Sequence, residues 1–270
     1  MFAAIAPHGG IAIAEACSPD ERDVALKTRA GMEELGRRFD AAKPDEVIVA
    51  TPHNVHIANA MGVVVAGRVA GRLDGVTPPI ELDLPSDMSL AWRVLEAMAG
   101  AGLPAVAVSF GSNDPALAVA PMDWGALIPL WFMGGRKEPP LPALIVTPAR
   151  ELSPSEHVTA GAAIAATAAT SDRRIALIAS ADHGHAHVKD GPFGYHPAAA
   201  EFDALVTDIV GSNQLERLVG IPRELVDNAK ADSWWQMLML HGATQGWRGE
   251  MISYEAPTYF GMLTAAYEPR

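Results

Sequence analysis

Three apolar segments of this chain each run into a histidine. Residues 5–8 read Ile-Ala-Pro-His, residues 47–53 read Val-Ile-Val-Ala-Thr-Pro-His, and residues 175–185 form an apolar run that ends in Ser-Ala-Asp-His-Gly-His. Ligands of an open α/β sheet bind beyond the carboxyl ends of its strands. Three such strands would bring His8, His53 and the histidines of the third segment to one edge of a sheet. Because neutral imidazole is a common metal ligand, the pattern predicts a metal site built from distant parts of the sequence.

The third segment carries the densest group of histidines. In an extended chain, His183, His185 and His187 point to one face, where they could bind a metal directly. Alternatively, one of them could act as a general base while Asp182 orients the loop. A solvated histidine-rich loop is the simpler explanation, but the preceding apolar strand disfavours it.

The sequence does not determine which carboxylate would complete the site. A mononuclear iron(II) oxygenase needs two histidines and one carboxylate on one face of the metal. Asp232 opens a predicted helix and could equally be its N-cap. Glu250 and Glu255 are the other downstream candidates.

Composition narrows the classes of function. The chain has 270 residues with a net charge of −12, which disfavours nucleic acid or an anionic membrane surface as the partner. A single cysteine, Cys17, excludes a disulfide framework and a cysteine-rich metal site. We find no signal peptide and no apolar run near the ~20 residues of a membrane span. The sequence therefore predicts a cytoplasmic protein without a membrane partner.

The elements that would position these residues alternate along the chain. Val-, Ile- and Ala-rich runs without alternation are typical of strands covered on both faces. They predict strands near 2–6, 46–51, 62–66, 104–109, 143–147 and 174–180, with weaker ones near 251–254 and 260–266. Helices are predicted over about 20–41, 87–101, 153–170, 197–210 and 232–245. This order indicates an α/β fold with a central, mostly parallel or mixed sheet and helices on both faces. We expect one catalytic domain over residues 1–270.

Taken together, these motifs resemble the class III extradiol ring-cleavage dioxygenases, the superfamily of the protocatechuate 4,5-dioxygenase β subunit. Each matching block is short, but their order and spacing cover nearly the whole chain. The blocks are residues 7–10, 51–53, 123–130, 180–185, 194–197, 201–203, 232–242 and 254–266.

The resemblance implies a role for each site residue. His8 and His53 correspond to the family's histidine ligands of iron(II), and Asp232 stands where the family has a glutamate, with Glu255 as the second choice. His185 corresponds to the catalytic base. Trp124 stands where many members have a histidine, so His183 could take over a polar contact. The expected substrate pocket comprises Trp124, His196 and Tyr259.

The activity implied is the opening of an aromatic ring by dioxygen. The substrate would be a catechol, an aminophenol or a dihydroxypyridine chelated to iron(II), and a homo-oligomer is expected. Two alternatives stay open at this stage. One is a metal-dependent hydrolase that uses the same ligands to activate water. The other is a non-catalytic binding relative, or a silent subunit, on the same fold.

Overall fold

Strands and helices alternate along most of the chain in the computed structural model, which describes residues 1–270. The strands are β1 (Phe2–Ala6), β2 (Glu46–Ala50), β3 (Met61–Val64), β4 (Arg68–Leu73), β5 (Ile80–Pro85), β6 (Ala105–Val108), β7 (Val119–Pro121), β8 (Ala143–Thr147), β9 (Ile175–Ser180), β10 (Arg248–Glu255) and β11 (Met262–Glu268). The α-helices are α1 (Leu26–Ala42), α2 (Met88–Gly100), α3 (Trp124–Phe132), α4 (Pro154–Ala169), α5 (Pro197–Gly211), α6 (Arg223–Ala229) and α7 (Trp234–Ala243).

Eight strands form one mixed sheet in the order β10-β11-β1-β9-β2-β8-β3-β6. The four central strands β1, β9, β2 and β8 are parallel, whereas β10, β11 and β3 run antiparallel to their inner neighbours. The carboxyl ends of β1, β9 and β2 therefore lie side by side at one edge of the sheet. This confirms the predicted α/β fold and brings together the ends of the three histidine-bearing segments.

The central strands are buried on both faces. In β1, Ala3 and Ile5 belong to a core cluster of 42 residues with α2, α4, α5 and α7, whereas Phe2, Ala4 and Ala6 belong to a second cluster of 29 residues with α1 and α3. Helices cover both faces of the sheet, which explains why the strand sequences lack a polar alternation.

A second sheet of three strands, in the order β5-β4-β7, was not predicted. Its strands are partly exposed, and the first five residues of β5 alternate between buried and exposed positions. The helices α3 and α6 were also not predicted. The first long helix begins at Leu26 and not near residue 20, because Ser18 and Glu21 form a capping box around a separate 3-10 turn. No helix combines the length and apolar character needed to cross a membrane.

Candidate metal centre and its cavity

Three side chains from distant segments meet at the carboxyl edge of the large sheet. His8 follows β1, His53 follows β2, and Asp232 precedes α7. His8 Nε2 lies 3.2 Å from His53 Nε2 and 3.6 Å from Asp232 Oδ2, and His53 Nε2 lies 3.4 Å from the same carboxylate oxygen. The structure thus assembles two imidazole nitrogens and one carboxylate oxygen within the reach of a single metal ion.

A buried hydrogen-bond chain fixes the tautomer of His8. The Ser180 hydroxyl donates to the backbone oxygen of Gly125, so its oxygen is left to accept from His8 Nδ1, which lies 2.9 Å away. In the neutral imidazole, Nδ1 therefore carries the proton, and Nε2 has the lone pair that a metal ion would accept. Such an outer partner orients a metal-binding imidazole and raises its basicity.

The Asp232 carboxylate is available to bind a metal ion. The N-cap reading is not supported, because no helix N–H donates to its side chain and its backbone oxygen accepts from Gln236. Its Oδ1 atom is buried without a hydrogen-bond partner. An unpaired buried carboxylate oxygen is costly, and a cation bound between the three side chains would satisfy it.

The electrostatics of the cluster also favour a cation. Burial acts to lower the pKa of His8. The carboxylates of Asp182 and Asp232 outweigh this effect and raise that pKa to about 9. Burial raises the pKa of Asp182, whose Oδ1 accepts from the His8 backbone N–H at 3.0 Å. Burial also acts to raise the pKa of Asp232, but His8 and His53 outweigh it and hold that pKa well below its ordinary value. The negative charge that draws a proton onto His8 would equally hold a divalent metal ion, and the donor set therefore fits one.

His185 is arranged as a proton acceptor beside this cluster. Its Nδ1 lies 2.7 Å from the backbone oxygen of His183, which can only accept, so Nδ1 carries the proton and Nε2 is free to receive one. Its ring stacks on Phe260 with an interplanar angle of 14° and a centroid distance of 5.4 Å. The stacking and the hydrogen bond together hold the ring in one orientation.

Asp203 anchors the loop that carries His185. This buried carboxylate on α5 accepts hydrogen bonds from the Gly184 backbone N–H at 2.7 Å, from His187 Nε2 at 2.8 Å and from the Tyr254 hydroxyl at 2.7 Å. Three donors from two segments converge on one side chain, so the loop is held on both sides of His185. His187 therefore binds Asp203 and not a metal.

The cluster and His185 line one open cavity of about 630 Å³. Its aromatic walls are Trp124, Phe193, Tyr259 and Phe260. Trp124 is the first residue of α3, and the centroid of its ring lies 4.6 Å from that of the His53 ring. The structure places Trp124 and Tyr259, two of the expected pocket residues, in the wall of this cavity. A cavity of this size with aromatic walls is typical of small-molecule binding sites.

Three residues of the predicted site lie elsewhere. His183 is fully buried outside the cavity, where its Nδ1 is hydrogen-bonded to Ser233 at 2.9 Å and burial lowers its pKa to about 4. His196 is the N-cap of α5 and accepts from the Ala198 backbone N–H. The Glu255 carboxylate accepts from the backbone N–H of Thr28 in the first turn of α1, away from the cluster. The structure therefore does not bring to the cavity His183 (expected to act beside His185), His196 (expected in the substrate pocket) or Glu255 (the second choice of carboxylate).

Sequence reasoning missed several contributors. Ser180 lay within a recognised block, yet its role as the partner of His8 depends on the pairing of β1 with β9. Phe193 and Phe260 had no periodic signal. A Cβ at Gly9, the residue after His8, would lie 2.5 Å from the Phe260 ring, so this glycine allows a cavity wall to pack.

Comparisons with known proteins agree with this architecture. A family model described as the catalytic LigB subunit of aromatic ring-opening dioxygenase matches residues 2–264. A curated protein of Clostridium acetobutylicum, named only Protein CA_C1420, is 23% identical over 252 residues, which are 92% of this chain and 53% of that protein. The chain thus spans about half the length of this relative. The crystal structure of the uncharacterized protein JW3007 from Escherichia coli K12 has a TM-score of 0.63 and 18% identity, covering 98% of this chain and 99% of that chain. This likeness shows a shared fold.

Proposed function

The chain belongs to the family of catalytic LigB subunits of aromatic ring-opening dioxygenases, and from this premise we propose that it is a non-haem iron(II) extradiol dioxygenase. Its substrate would be a single aromatic ring with two adjacent oxygen or nitrogen donors, such as a catechol, an aminophenol or a dihydroxypyridine. Dioxygen would be the second substrate.

The observation that carries this proposal is the donor geometry of His8, His53 and Asp232. Donor atoms about 2.1 Å from a metal and at right angles to one another are about 3 Å apart. The observed separations of 3.2, 3.4 and 3.6 Å approach that spacing. Two histidines and one carboxylate on one face are typical of iron(II) oxygenases, because they leave positions open for both substrates.

When bound, iron(II) supplies a Lewis acid for two adjacent ring donors and a source of electrons for dioxygen. The protein supplies the proton chemistry. His185 Nε2 faces no donor or acceptor of the chain, so it can accept a proton from a substrate hydroxyl and return one later. The loop anchored by Asp203 keeps that nitrogen in place.

The aromatic walls would orient the substrate. The Phe260 ring supports His185 from one side, while Tyr259 and Phe193 lie 6.0 and 5.7 Å from it between ring centroids. A flat ring between these walls and Trp124 would be held with few rotational alternatives. Such positioning lowers the entropic part of the barrier.

The test is oxygen uptake by protein loaded anaerobically with iron(II), over a panel of catechols, aminophenols and dihydroxypyridines. We expect uptake together with a new ring-fission absorbance for one class. His53→Ala should lose iron and uptake together. His56→Ala is a matched control, because His56 is an exposed histidine three residues away that pairs with Glu151 at 2.9 Å. Full iron loading without uptake across the panel would reject the dioxygenase and favour a hydrolase or a binding role.

A further inference from the structure

One edge of the large sheet is open to another strand. β6 is the last strand of that sheet and pairs only with β3. Backbone N–H groups of β3 and of the residue after it donate to the oxygens of Pro104 and Val108. Because successive residues of a strand point their backbone groups to opposite sides, those of Ala105, Ala107 and Ser109 point away from the sheet. They form a row of donors and acceptors that no strand of the chain satisfies.

The other sheet edges carry groups that prevent pairing. At the opposite end of the large sheet, β10 has the exposed Glu250, which pairs with Arg38 at 2.9 Å. In the small sheet, β5 has Glu81 and Asp83 at exposed positions, and β7 is three residues long and ends in Pro121. Charged residues, proline and short length protect edge strands against association. β6 contains neither a charged residue nor a proline.

Exposed apolar side chains lie along the same border. The chain from β6 to β7 follows β3 and β4, because Gly67 between them donates to the backbone oxygen of Pro115 and β7 pairs with β4. Four of the eleven large apolar side chains that are exposed in this protein lie on that stretch, at 38% to 74% exposure: Val106, Phe110, Leu117 and Val119. Residues 97–122 contain one charged side chain, Asp114, which accepts from the backbone N–H of Ala116. The border is thus apolar and nearly uncharged.

A second copy of this chain is the occupant that the charge distribution favours. With a net charge of −12, two copies repel each other over most of their surfaces. An uncharged border is where a second copy can approach with the least repulsion. A basic partner, in contrast, would be attracted to other parts of the surface and would find one carboxylate here.

The strand is also complementary to itself. In an antiparallel pair about a two-fold axis, Ala107 lies opposite Ala107 of the second copy, and Ala105 lies opposite its Ser109. These are the outward-facing residues, and two hydrogen bonds for each opposed pair give about six in all. In the same register Val106 lies opposite Val108 of the second copy, at the closely spaced positions where side chains of neighbouring strands pack.

We propose that two copies of this chain associate through β6, whose strands pair antiparallel about a two-fold axis and join the two large sheets into one. Phe110, Leu117 and Val119 would add the apolar contact that a strand pair alone does not supply. Two-fold dimers are the commonest homo-oligomers. The proposal is independent of the proposed function, since β6 contributes no residue to the candidate metal centre or its cavity.

Sedimentation of the full chain from nanomolar to high-micromolar concentration tests the proposal, and we expect a monomer–dimer equilibrium. Ala107→Pro removes only an N–H that faces away from the sheet, which an edge strand tolerates. It deletes two of the intermolecular hydrogen bonds, so the dissociation constant should rise at least about tenfold. Val106→Lys places a charge in the same contact and should have the same effect.

A matched control separates the contact from the change in charge. Val219→Lys introduces the same side chain at a residue that is similarly exposed, in the 3-10 turn between α5 and α6, and should leave the dissociation constant unchanged. Hydrogen exchange locates the contact directly: the amides of β6 should exchange more slowly at concentrations at which the dimer forms. Circular dichroism establishes that each variant is folded, and Val106→Lys carries the test alone if Ala107→Pro does not fold.

Several outcomes would overturn the proposal. A wild type that stays monomeric at high-micromolar concentration would do so, and would leave the border to a different partner. A dimer that persists unchanged in the folded β6 variants, or that dissociates equally in Val219→Lys, would place the contact elsewhere. Species that grow beyond the dimer with concentration would also contradict it, because a two-fold contact closes on itself.

Discussion

Removal of the Ser180 hydroxyl is the sharpest perturbation of the candidate metal centre, because Ser180 does not line the cavity and its hydroxyl contacts the three donor residues only through His8. In Ser180→Ala, His8 Nδ1 loses the acceptor at 2.9 Å and the Gly125 backbone oxygen loses its donor. The imidazole can then place its proton on Nε2, the atom that would bind the metal. We expect weaker metal binding in a protein that still folds.

The size of the effect follows from the two groups left without partners. Each buried group without a partner costs about 1–3 kcal/mol, so the free energy of unfolding should fall by a few kcal/mol. Loss of an outer partner of a ligand histidine typically weakens metal affinity about 10- to 100-fold. That range corresponds to about 1.4–2.8 kcal/mol of binding free energy.

The assay is an anaerobic iron(II) titration against a competing chelator, with urea unfolding measured on the same samples. Ser253→Ala is the matched control, because it removes a hydroxyl that is hydrogen-bonded to Thr264 at 2.7 Å between β10 and β11. This control should lose stability but keep its metal affinity. If folded Ser180→Ala binds iron(II) within about twofold of the wild type, the argument from the tautomer of His8 is refuted, since the expected loss is at least about tenfold.

Four further predictions follow, three from the candidate site and one from a buried carboxyl at the start of β2. Asp232→Ala should abolish iron binding measured by metal analysis. Glu255→Ala should retain the metal and only lower thermal stability, because it loses its hydrogen bond to α1. Retention of iron by Asp232→Ala would contradict the assignment of Asp232 as a ligand. His185→Phe should keep iron but lose at least about 100-fold in kcat, and an unchanged rate would remove the base role. Asp203→Asn should lower kcat with little change in metal affinity, because it loosens only the loop with His185; equal loss of iron would point to general unfolding. Burial and the Asp87 carboxylate raise the pKa of Glu46 to about 7. Between about pH 4.5 and 7 the folded state therefore keeps a proton on Glu46 that the unfolded state has lost, and the free energy of unfolding falls as the pH rises through this range. Glu46→Gln should flatten that part of the unfolding profile, and an unchanged slope would contradict it.

The positions of the histidine ligand candidates could be predicted because their signal is local. Apolar runs without alternation indicate strands covered on both faces, and β1, β2 and β9 have such runs. In parallel strands the carboxyl ends meet at one edge. The placement of His8 and His53 at one edge of the sheet therefore followed from strand type, whereas their convergence also needed the strand order β1-β9-β2. Their role as metal ligands stays a prediction.

The remaining parts of the site depend on contacts that no local pattern encodes. An extended loop would put His183, His185 and His187 on one face, but isolated bridges from Asp182 to Met262 and from His187 to Tyr195 bend this segment. His183 therefore turns into the core, His185 faces the cavity, and His187 binds Asp203.

Which of the two carboxylates reaches the histidines also depends on tertiary contacts. Asp232 and Glu255 have the same donor type, and only the packing of α7 against the sheet brings Asp232 to the histidines. The second sheet was missed because its strands are half exposed and lack the continuous apolar runs by which the central strands were found.

The most direct test of the central claim is the stoichiometry of oxygen consumption against ring opening in the iron(II)-loaded wild type, with Asp232→Ala measured alongside. We predict that one molecule of dioxygen is consumed for each ring opened, that both oxygen atoms enter the product, and that Asp232→Ala shows neither process. Ring-derived product formed without oxygen consumption, or equal oxygen consumption by Asp232→Ala, would contradict a dioxygenase centred on His8, His53 and Asp232.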